Sequence, residues 1–176
     1  TSDVYTDGWT RNGSIVNTGT FYDIFLPLGE SFGGPLFFSH YSFIGLDPRN
    51  LSDQYTNYFD QNKAHTLINY KHCIENPNGY SGYSDLSWGI TASLNYDGYS
   101  AHSPTNDLGV ISPTAAISSF PYTPDESKKA LEYFYYNLND KMWGDFGFYD
   151  AFSIHYNWFS DEYLAIDQGP IILMIE

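Results

Sequence analysis

The sequence has very little cysteine and lacks the motifs on which several common classes of site depend. Cys73 is the single cysteine among 176 residues, so an internal disulfide bond is impossible. Its setting predicts a buried helical thiol, because free cysteines are commonly buried and inert. No HExxH motif or pair of CxxC motifs occurs, so we expect no zinc site and no metal. The phosphate-binding motifs GxxxxGK[ST] and GxGxxG are also missing, and nothing in the sequence predicts a cofactor.

Positive charge is scarce as well. The chain has 7 Lys and Arg against 21 Asp and Glu, for a net charge of −14. A surface with that field repels phosphates, which argues against nucleic acid and anionic membranes as partners. No apolar run approaches the roughly 18 residues that a membrane span requires. The first residues, 1–3, are not a native initiator, which indicates processing or truncation, and we expect a periplasmic or secreted protein.

Aromatic residues are abundant, at 19% of the chain, with 17 Tyr and 13 Phe. Tyrosine and tryptophan offer a flat apolar face and a polar edge. Sugars present apolar C–H faces rimmed by hydroxyls and therefore suit such surfaces. An ordinary aromatic core explains the composition equally, so the composition alone leaves both interpretations open.

Apolar periodicity predicts a mainly α chain in which helices alternate with long aromatic loops. The predicted helices cover residues 36–43, 52–75, 86–92, 113–120 and 124–141, with a last helix from about Pro170. Thr123 and Glu126 form the pattern of a capping box with proline at the first helical position. A short hairpin or turn is expected within residues 1–34, and strand alternation is nearly absent elsewhere. The loops 78–112 and 143–160 are long enough to suggest a functional role.

The end of the chain resembles a helix that stops too early. Pro170 fits the first helical position, and the apolar residues 171–175 follow it. The chain stops at Glu176, about two turns later. This pattern predicts a fragment, or a chain whose true C-terminus is missing.

Loop carboxylates are the best candidates for chemistry, since carboxyls in different environments act as acid and base. Glycosidic cleavage requires two carboxyls, about 6.5–9.5 Å apart for inversion and about 5–5.5 Å for retention, and no pair stands out. Asp167 precedes a predicted helix start, where it is either an N-terminal cap or a sugar-binding carboxylate or general base. Gln168 beside it can both donate and accept hydrogen bonds, as sugar hydroxyls require. The loop carboxylates are Asp85, Asp97, Asp107, Asp145, Asp150, Asp161 and Asp167.

Many ordered segments resemble one bacterial family across nearly the whole chain. The longest is Gly109-Val110-Ile111-Ser112-Pro113-Thr114-Ala115-Ala116-Ile117-Ser118-Ser119-Phe120-Pro121-Tyr122-Thr123-Pro124. The others are residues 34–38, 40–43, 45–49, 82–84, 88–93, 98–102, 143–144, 147–148, 150–152 and 165–172, with Asn62, Ala64-His65 and Asn69-Tyr70. Together they resemble the glucoamylase-like family, some members of which are β-1,2-glucanases.

The resemblance implies that residues 1–176 are part of a glycoside hydrolase catalytic domain, truncated at both ends. The implied fold is the C-terminal half of an α/α toroid, a six-hairpin helical barrel with a cleft at one end. The implied reaction is an inverting attack on β-1,2-glucan, whereas a related domain in cyclic β-1,2-glucan synthases performs transglycosylation. The family's proposed catalytic carboxylates lie upstream of the stretch matching residues 8–13, so the N-terminal half of the same domain is the expected partner. Leu94 and Leu108 depart from polar positions of the family pattern, which leaves the substrate open.

The resemblance therefore implies a glycoside hydrolase that acts on a β-1,2-glucan-type oligo- or polysaccharide. The alternatives are a glucoamylase-type enzyme acting on α-glucan, a β-1,2-glucan transglycosylase and a non-catalytic carbohydrate-binding module. Asp167 is the predicted catalytic residue. The predicted substrate-binding residues are Trp88, Tyr99 and Trp143 for stacking on sugar faces, and His65, His102, Asp107 and Gln168 for hydroxyl contacts.

Overall fold

The computed structural model describes Val4 and residues 19–176, and shows a helical chain with four small antiparallel sheets. The predicted loops of residues 1–18 lie outside the described residues. The α-helices are α1 (Tyr58–Glu75), α2 (Pro113–Ile117), α3 (Pro124–Glu132) and α4 (Ala165–Ile175). Short 3-10 helices span Ser31–Gly33, Leu36–Ser39 and Asn139–Lys141, and a π-helix spans Tyr133–Leu138. No described helix is long and apolar enough to cross a membrane.

Each sheet is a two-stranded hairpin, so the mainly α chain also contains short strands that the sequence did not predict after residue 34. The hairpins are β1 (Gly19–Phe21) with β2 (Ile24–Leu26), β3 (Ala92–Asn95) with β4 (Gly98–Ala101), β5 (Trp143–Gly144) with β6 (Gly147–Phe148), and β7 (Phe152–Ser153) with β8 (Trp158–Phe159). These strands contain two to four residues, which is too short for alternation to be visible in a sequence. The first hairpin falls within the predicted range.

Helix α1 begins six residues later than predicted, because two local hydrogen-bonding motifs define its start. The carboxylate of Asp53 accepts hydrogen bonds from the backbone N–H groups of Tyr55 and Thr56, which holds a turn instead of a helix. The Asn57 side chain then caps the helix by accepting from the N–H groups of residues 59 and 60. Asn76 ends it in the left-handed conformation.

The predicted helix 86–92 is wrong, because this segment is an irregular stretch pressed into the core. Gly89 has a φ of 119°, and a side chain there would lie 2.9 Å from the backbone nitrogen of Ala116 in α2. The Asn69 side chain of α1 bonds both the N–H and the C=O of Ile90 at 2.9 Å. Tertiary contacts therefore supply the backbone partners that a helix would otherwise provide.

The segment predicted as one helix over residues 124–141 starts where expected and then changes character. Thr123 precedes α3, but no side-chain cap forms there, so the predicted capping box is wrong. The Thr123 hydroxyl donates instead to the backbone oxygen of Ser119 at 3.4 Å. After Glu132 the chain continues as the π-helix and then as a 3-10 turn. The predicted helices 36–43 and 113–120 are shortened to the 3-10 helix Leu36–Ser39 and to α2.

Helix α4 begins at Ala165, five residues before the predicted start, and Pro170 lies inside it. Proline within the second turn costs one backbone hydrogen bond, to the carbonyl four residues earlier. Asp167, Pro170 and Met174 share the buried face, at the three- and four-residue spacing of a helix. Asp167 therefore lies in the first turn of α4 and is not its N-terminal cap.

Candidate active site

Two aspartates from separate parts of the chain lie side by side in the interior. Asp150 lies between β6 and β7, and Asp167 lies in the first turn of α4. Each is only 1% exposed. Buried carboxyls are rare unless another group pairs with them, so the partners of this pair determine its chemistry.

Three hydrogen bonds hold Asp150. Its Oδ2 accepts from the backbone N–H of Leu94 in β3 at 2.7 Å. Its backbone carbonyl accepts from the Ser112 hydroxyl at 2.7 Å, and its N–H donates to the carbonyl of Glu162. Asp150 is therefore fixed between the β3–β4 hairpin and the start of α2.

Asp167 is held by α2 and by the chain after the Leu36–Ser39 turn. The Thr114 hydroxyl donates to its backbone carbonyl at 2.7 Å, and the Tyr41 hydroxyl donates to its Oδ1 at 3.1 Å. Within the described residues, Oδ1 of Asp150 and Oδ2 of Asp167 have no hydrogen-bond partner. The two carboxyls shift each other's pKa, and a proton shared between them would satisfy both buried oxygens.

The pair has the electrostatics of two acids that hold one proton. Burial, followed by the hydrogen bond and the charge of Asp150, raises the pKa of Asp167 to about 7. Burial also raises the pKa of Asp150, although the Leu94 N–H opposes the shift. Two neighbouring carboxylates repel each other, so the two acids cannot both ionise easily. A carboxyl with a pKa near neutrality is suited to accept or donate a proton at physiological pH.

Tyr41 also lines a cavity of about 530 Å³. The aromatic residues Phe37, Phe43 and Tyr58 line it as well, together with polar residues such as Glu30. This volume falls within the range of small-molecule sites. Burial and the nearby charge of Asp167 raise the pKa of Tyr41, so its hydroxyl remains a donor between the cavity and the carboxyl.

Three other predicted residues lie around the carboxyl pair. Tyr99 is 58% exposed, and burial, followed by the charges of Asp167 and Asp150, raises its pKa. The Gln168 amide donates to the Phe148 carbonyl at 2.7 Å, so one of its donors is used in a contact within the protein. Trp143 is partly exposed and packs edge-on against the Phe148 ring at 4.8 Å. The structure thus brings Asp167, Tyr99, Gln168 and Trp143 to one region.

The structure places three predicted residues in the interior instead. Trp88 is completely enclosed and packs against Tyr70 at 5.3 Å, so its ring belongs to the core and presents no face to a sugar. His65 is buried but lines the cavity; it bonds the Ser39 hydroxyl and the Gly34 carbonyl, and burial lowers its pKa to about 4. His102 is buried beside the Asn95 amide at 3.4 Å, and burial lowers its pKa.

Asp107 is the centre of a separate buried network. His72 of α1 pairs with its Oδ2 at 2.9 Å, and the Tyr83 hydroxyl donates to its Oδ1 at 2.7 Å. The Gly109 N–H donates to the same oxygen, and Tyr22 bonds the other nitrogen of His72 at 2.8 Å. This network ties α1 to two loops and to the β1–β2 turn, which is a structural arrangement.

Asp150 is the residue that sequence reasoning did not select. It is one of several loop carboxylates, and its segment is one of many that resemble the family. No local signal pairs it with Asp167, because 17 residues and the β7–β8 hairpin separate them. The start of α2 contacts both segments, because the Ser112 hydroxyl donates to the Asp150 carbonyl and the Thr114 hydroxyl donates to the Asp167 carbonyl.

Comparison with known proteins finds relatives that align with nearly the whole chain. The exo β-1,2-glucooligosaccharide sophorohydrolase (non-reducing end) of Parabacteroides distasonis is 46% identical over 177 residues, which cover 98% of this chain and 24% of that protein. An endo-β-1,2-glucanase from Chitinophaga pinensis, solved with sophorotriose and glucose, is 50% identical with a TM-score of 0.93 and is covered to 43%. A “putative glucoamylase” from Bacteroides uniformis is 57% identical with a TM-score of 0.95 and is covered to 42%. This chain is covered to 99% and 98% in these two alignments.

The family model described as “Putative glucoamylase” matches residues 1–176. The chain therefore belongs to this family, and the resemblance inferred from its segments is confirmed. It spans about a quarter of the curated relative and about two fifths of the two solved chains.

Proposed function

We propose that this chain is part of the catalytic domain of a glycoside hydrolase acting on β-1,2-glucan, and that Asp167 is its proton acceptor. The observation that carries the proposal is the Asp150–Asp167 pair, which holds one proton beside an aromatic cavity. The names of the relatives supply the linkage, because two of them act on β-1,2-linked glucose chains. Periplasmic or secreted placement belongs to the same proposal, since a polysaccharide substrate lies outside the cytoplasm.

The Tyr41 hydroxyl gives the carboxyl a route to the cavity. Tyr41 lines the cavity and donates to Oδ1 of Asp167. When water attacks the anomeric carbon, the Tyr41 oxygen takes a proton from that water and passes its own proton to Asp167. The leaving oxygen takes a proton from an acid in another part of the domain. Burial, together with the neighbouring Asp150, keeps the pKa of Asp167 near 7, where a general base works best.

The rest of the domain is proposed to close an α/α toroid around this half. Helix α4 supports that arrangement, because most of its apolar surface is exposed in the described chain. Its exposed side chains are Ile166, Ile172, Leu173 and Ile175. A contiguous aliphatic face of this kind is typical of a surface that packs against protein, and an N-terminal half would cover it.

The test is Asp167→Asn in the full-length enzyme. Asparagine preserves the shape and can donate to Asp150 while accepting from Tyr41, so the fold should remain stable. Turnover of β-1,2-glucan should fall by at least about 100-fold, on the usual scale for acid–base groups. Asp161→Asn is the matched control, because Asp161 is an exposed loop carboxylate, and its turnover should not change.

The pH profile gives a second readout of the same test. In the parent enzyme kcat/KM should rise with pH through about 7, as Asp167 ionises and becomes able to accept a proton. Near-normal turnover of Asp167→Asn together with lowered stability would show that Asp167 serves the fold only. Release of products from starch but not from β-1,2-glucan would overturn the substrate assignment.

A further inference from the structure

Three loops bring four aromatic rings together on an exposed surface beyond the carboxyl pair. Tyr96 lies in the β3–β4 turn, His155 and Tyr156 lie in the β7–β8 turn, and Tyr80 lies in the loop after α1. We call these four residues the tyrosine surface. The ring centroids of Tyr96 and Tyr156 are 4.5 Å apart, and His155 lies 4.7 Å from Tyr156 and 5.3 Å from Tyr80. Tyr96 and Tyr156 are 43% and 46% exposed.

Close backbone contacts hold the rings in place. Gly109 has a φ of +74°, and a side chain there would lie 2.6 Å from the Tyr80 ring. The Tyr80 hydroxyl donates to the Asp107 carbonyl at 3.1 Å, and the Ser81 N–H donates to His155 Nδ1 at 3.3 Å. A surface whose rings are already ordered loses little side-chain entropy when a ligand binds.

The chemistry of this surface differs from that of the exposed face of α4. The α4 face is aliphatic and offers no hydrogen bonds, which suits burial against protein. The tyrosine surface combines flat rings with hydroxyl groups, which suits a ligand with apolar C–H faces and many hydroxyls. Burial raises the pKa of Tyr96 most, followed by a hydrogen bond with Tyr156, and the charge of Asp97 adds the last contribution. Asp97 and the net charge of −14 disfavour anionic ligands, which leaves a neutral saccharide as the fitting class.

The β3–β4 hairpin connects this surface to the carboxyl pair. The Leu94 N–H donates to Asp150, and the Leu94 position pairs with Tyr99 across the hairpin. Tyr96 is three residues from Tyr99, so their backbones are at most about 10 Å apart. A single rigid hairpin therefore carries one tyrosine beside the carboxyls and another on the tyrosine surface.

We propose that the tyrosine surface binds additional glucosyl units of a neutral β-linked gluco-oligosaccharide whose reacting linkage lies at Asp167. This inference rests on the proposed function. It makes the surface a chain-length sensor, because only an oligosaccharide long enough to reach past Tyr99 gains the contacts with Tyr96 and Tyr156.

The experiment compares Tyr96→Ala and Tyr156→Ala in the full-length enzyme, using β-1,2-linked gluco-oligosaccharides of increasing length. KM for the long oligosaccharides should rise about two- to tenfold per ring removed, whereas KM for the shortest substrate and kcat should not change. Tyr96→Trp retains a ring and should restore the parent KM. Tyr136→Ala is the control, since Tyr136 is exposed at a different place and contacts Tyr135.

Binding to the Asp167→Asn variant separates this inference from the proposed function. Calorimetric titration with a long β-1,2-gluco-oligosaccharide should show weaker binding when Tyr96→Ala is added, whether or not Asp167→Asn abolishes turnover. An equal change of affinity for every chain length would overturn the inference. A lower unfolding temperature with unchanged KM would also overturn it, because the rest of the domain would then cover these rings.

Discussion

Asp107 and Asp167 are both buried carboxyls, yet their surroundings shift their pKa values in opposite directions. The Asp107 side chain is 2% exposed and Asp167 is 1% exposed. Burial alone would raise the pKa of Asp107, but hydrogen bonds from His72, Tyr83 and the Gly109 N–H lower it overall. Asp167 faces another acid, and its pKa rises to about 7. The number of donors around a buried carboxyl, not its burial, decides whether it remains ionised.

The comparison also separates two roles that the sequence had grouped together. Asp107 and Asp167 were both predicted to contact substrate. Asp107 has its oxygens occupied by protein donors and links α1 to the following loops. Asp167 has one oxygen on Tyr41, which lines the cavity, and the other on a carboxyl that supplies charge. We interpret the first residue as structural and propose the second as the working carboxyl.

The largest expected difference between the two carboxyls is in stability. Asp107→Ala leaves His72 and the Tyr83 hydroxyl buried without their acceptor, so the free energy of unfolding should fall by about 3–5 kcal/mol. Urea unfolding of the full-length protein at neutral pH measures this change. Asp167→Asn, in contrast, should not lower the stability at neutral pH, because asparagine cannot ionise and keeps the contacts of the protonated acid. Equal losses in the two variants would remove the distinction between a donor-filled site and an acid pair.

The pH dependence of stability should also differ, because the two pKa shifts have opposite signs. Asp167 holds its proton up to about pH 7 when folded but only to about 3.8 when unfolded. Its contribution is therefore fully present below pH 3.8 and is lost between about pH 4 and 7, by about 4 kcal/mol at 1.36 kcal/mol for each pKa unit. The contribution of Asp107, whose folded pKa is lowered, is present above pH 3.8 and is lost below it.

Two variants test which carboxyl causes each pH-dependent loss of stability. Asp167→Asn should remove the loss of stability between about pH 4 and 7, and Asp107→Asn should remove the loss below about pH 4. Thermal unfolding midpoints of the full-length protein across this range measure both effects. An unchanged slope between pH 4 and 7 in Asp167→Asn would show that the raised pKa belongs to Asp150 alone.

The sequence predicted the longer helices and the family, and it missed features set by tertiary contacts. Helix α3 began at the predicted residue because proline at the first helical position is a local signal. The sequence predicted the wrong start for α4 because Pro170 fits the first position of a helix. The helix begins earlier, at Ala165, and it buries Asp167, Pro170 and Met174 on one face. Trp88 lies in a segment predicted as a short helix among aromatic loops, but that segment is irregular and Trp88 is packed into the core. Nothing local distinguishes an exposed aromatic loop from one that folds inward.

The sequence likewise predicted only part of the candidate site. Asp167 was selected because it precedes a run of apolar residues, which is a local pattern. Asp150 was not, because its role depends on the Leu94 N–H and on α4, which are distant in sequence. A pair of carboxyls created by packing cannot be read from spacing.

The smallest expected difference concerns the two tyrosines that donate to these carboxyls. Tyr83→Phe removes a 2.7 Å hydrogen bond to an ionised carboxylate, so the free energy of unfolding should fall by about 1.5–3 kcal/mol. Tyr41→Phe removes a 3.1 Å hydrogen bond to a carboxyl that holds a proton, so the loss should be about 0.5–1.5 kcal/mol. The Tyr41 hydrogen bond lowers the pKa of Asp167, so Tyr41→Phe should also move the upper end of its stability window above pH 7. Unfolding midpoints of both variants between pH 4 and 8 measure these effects. If Tyr83→Phe instead shifts the pH range in which Asp167 loses its stabilising contribution, the two buried networks are coupled. Asp107 and Asp167 could then not be compared as independent sites.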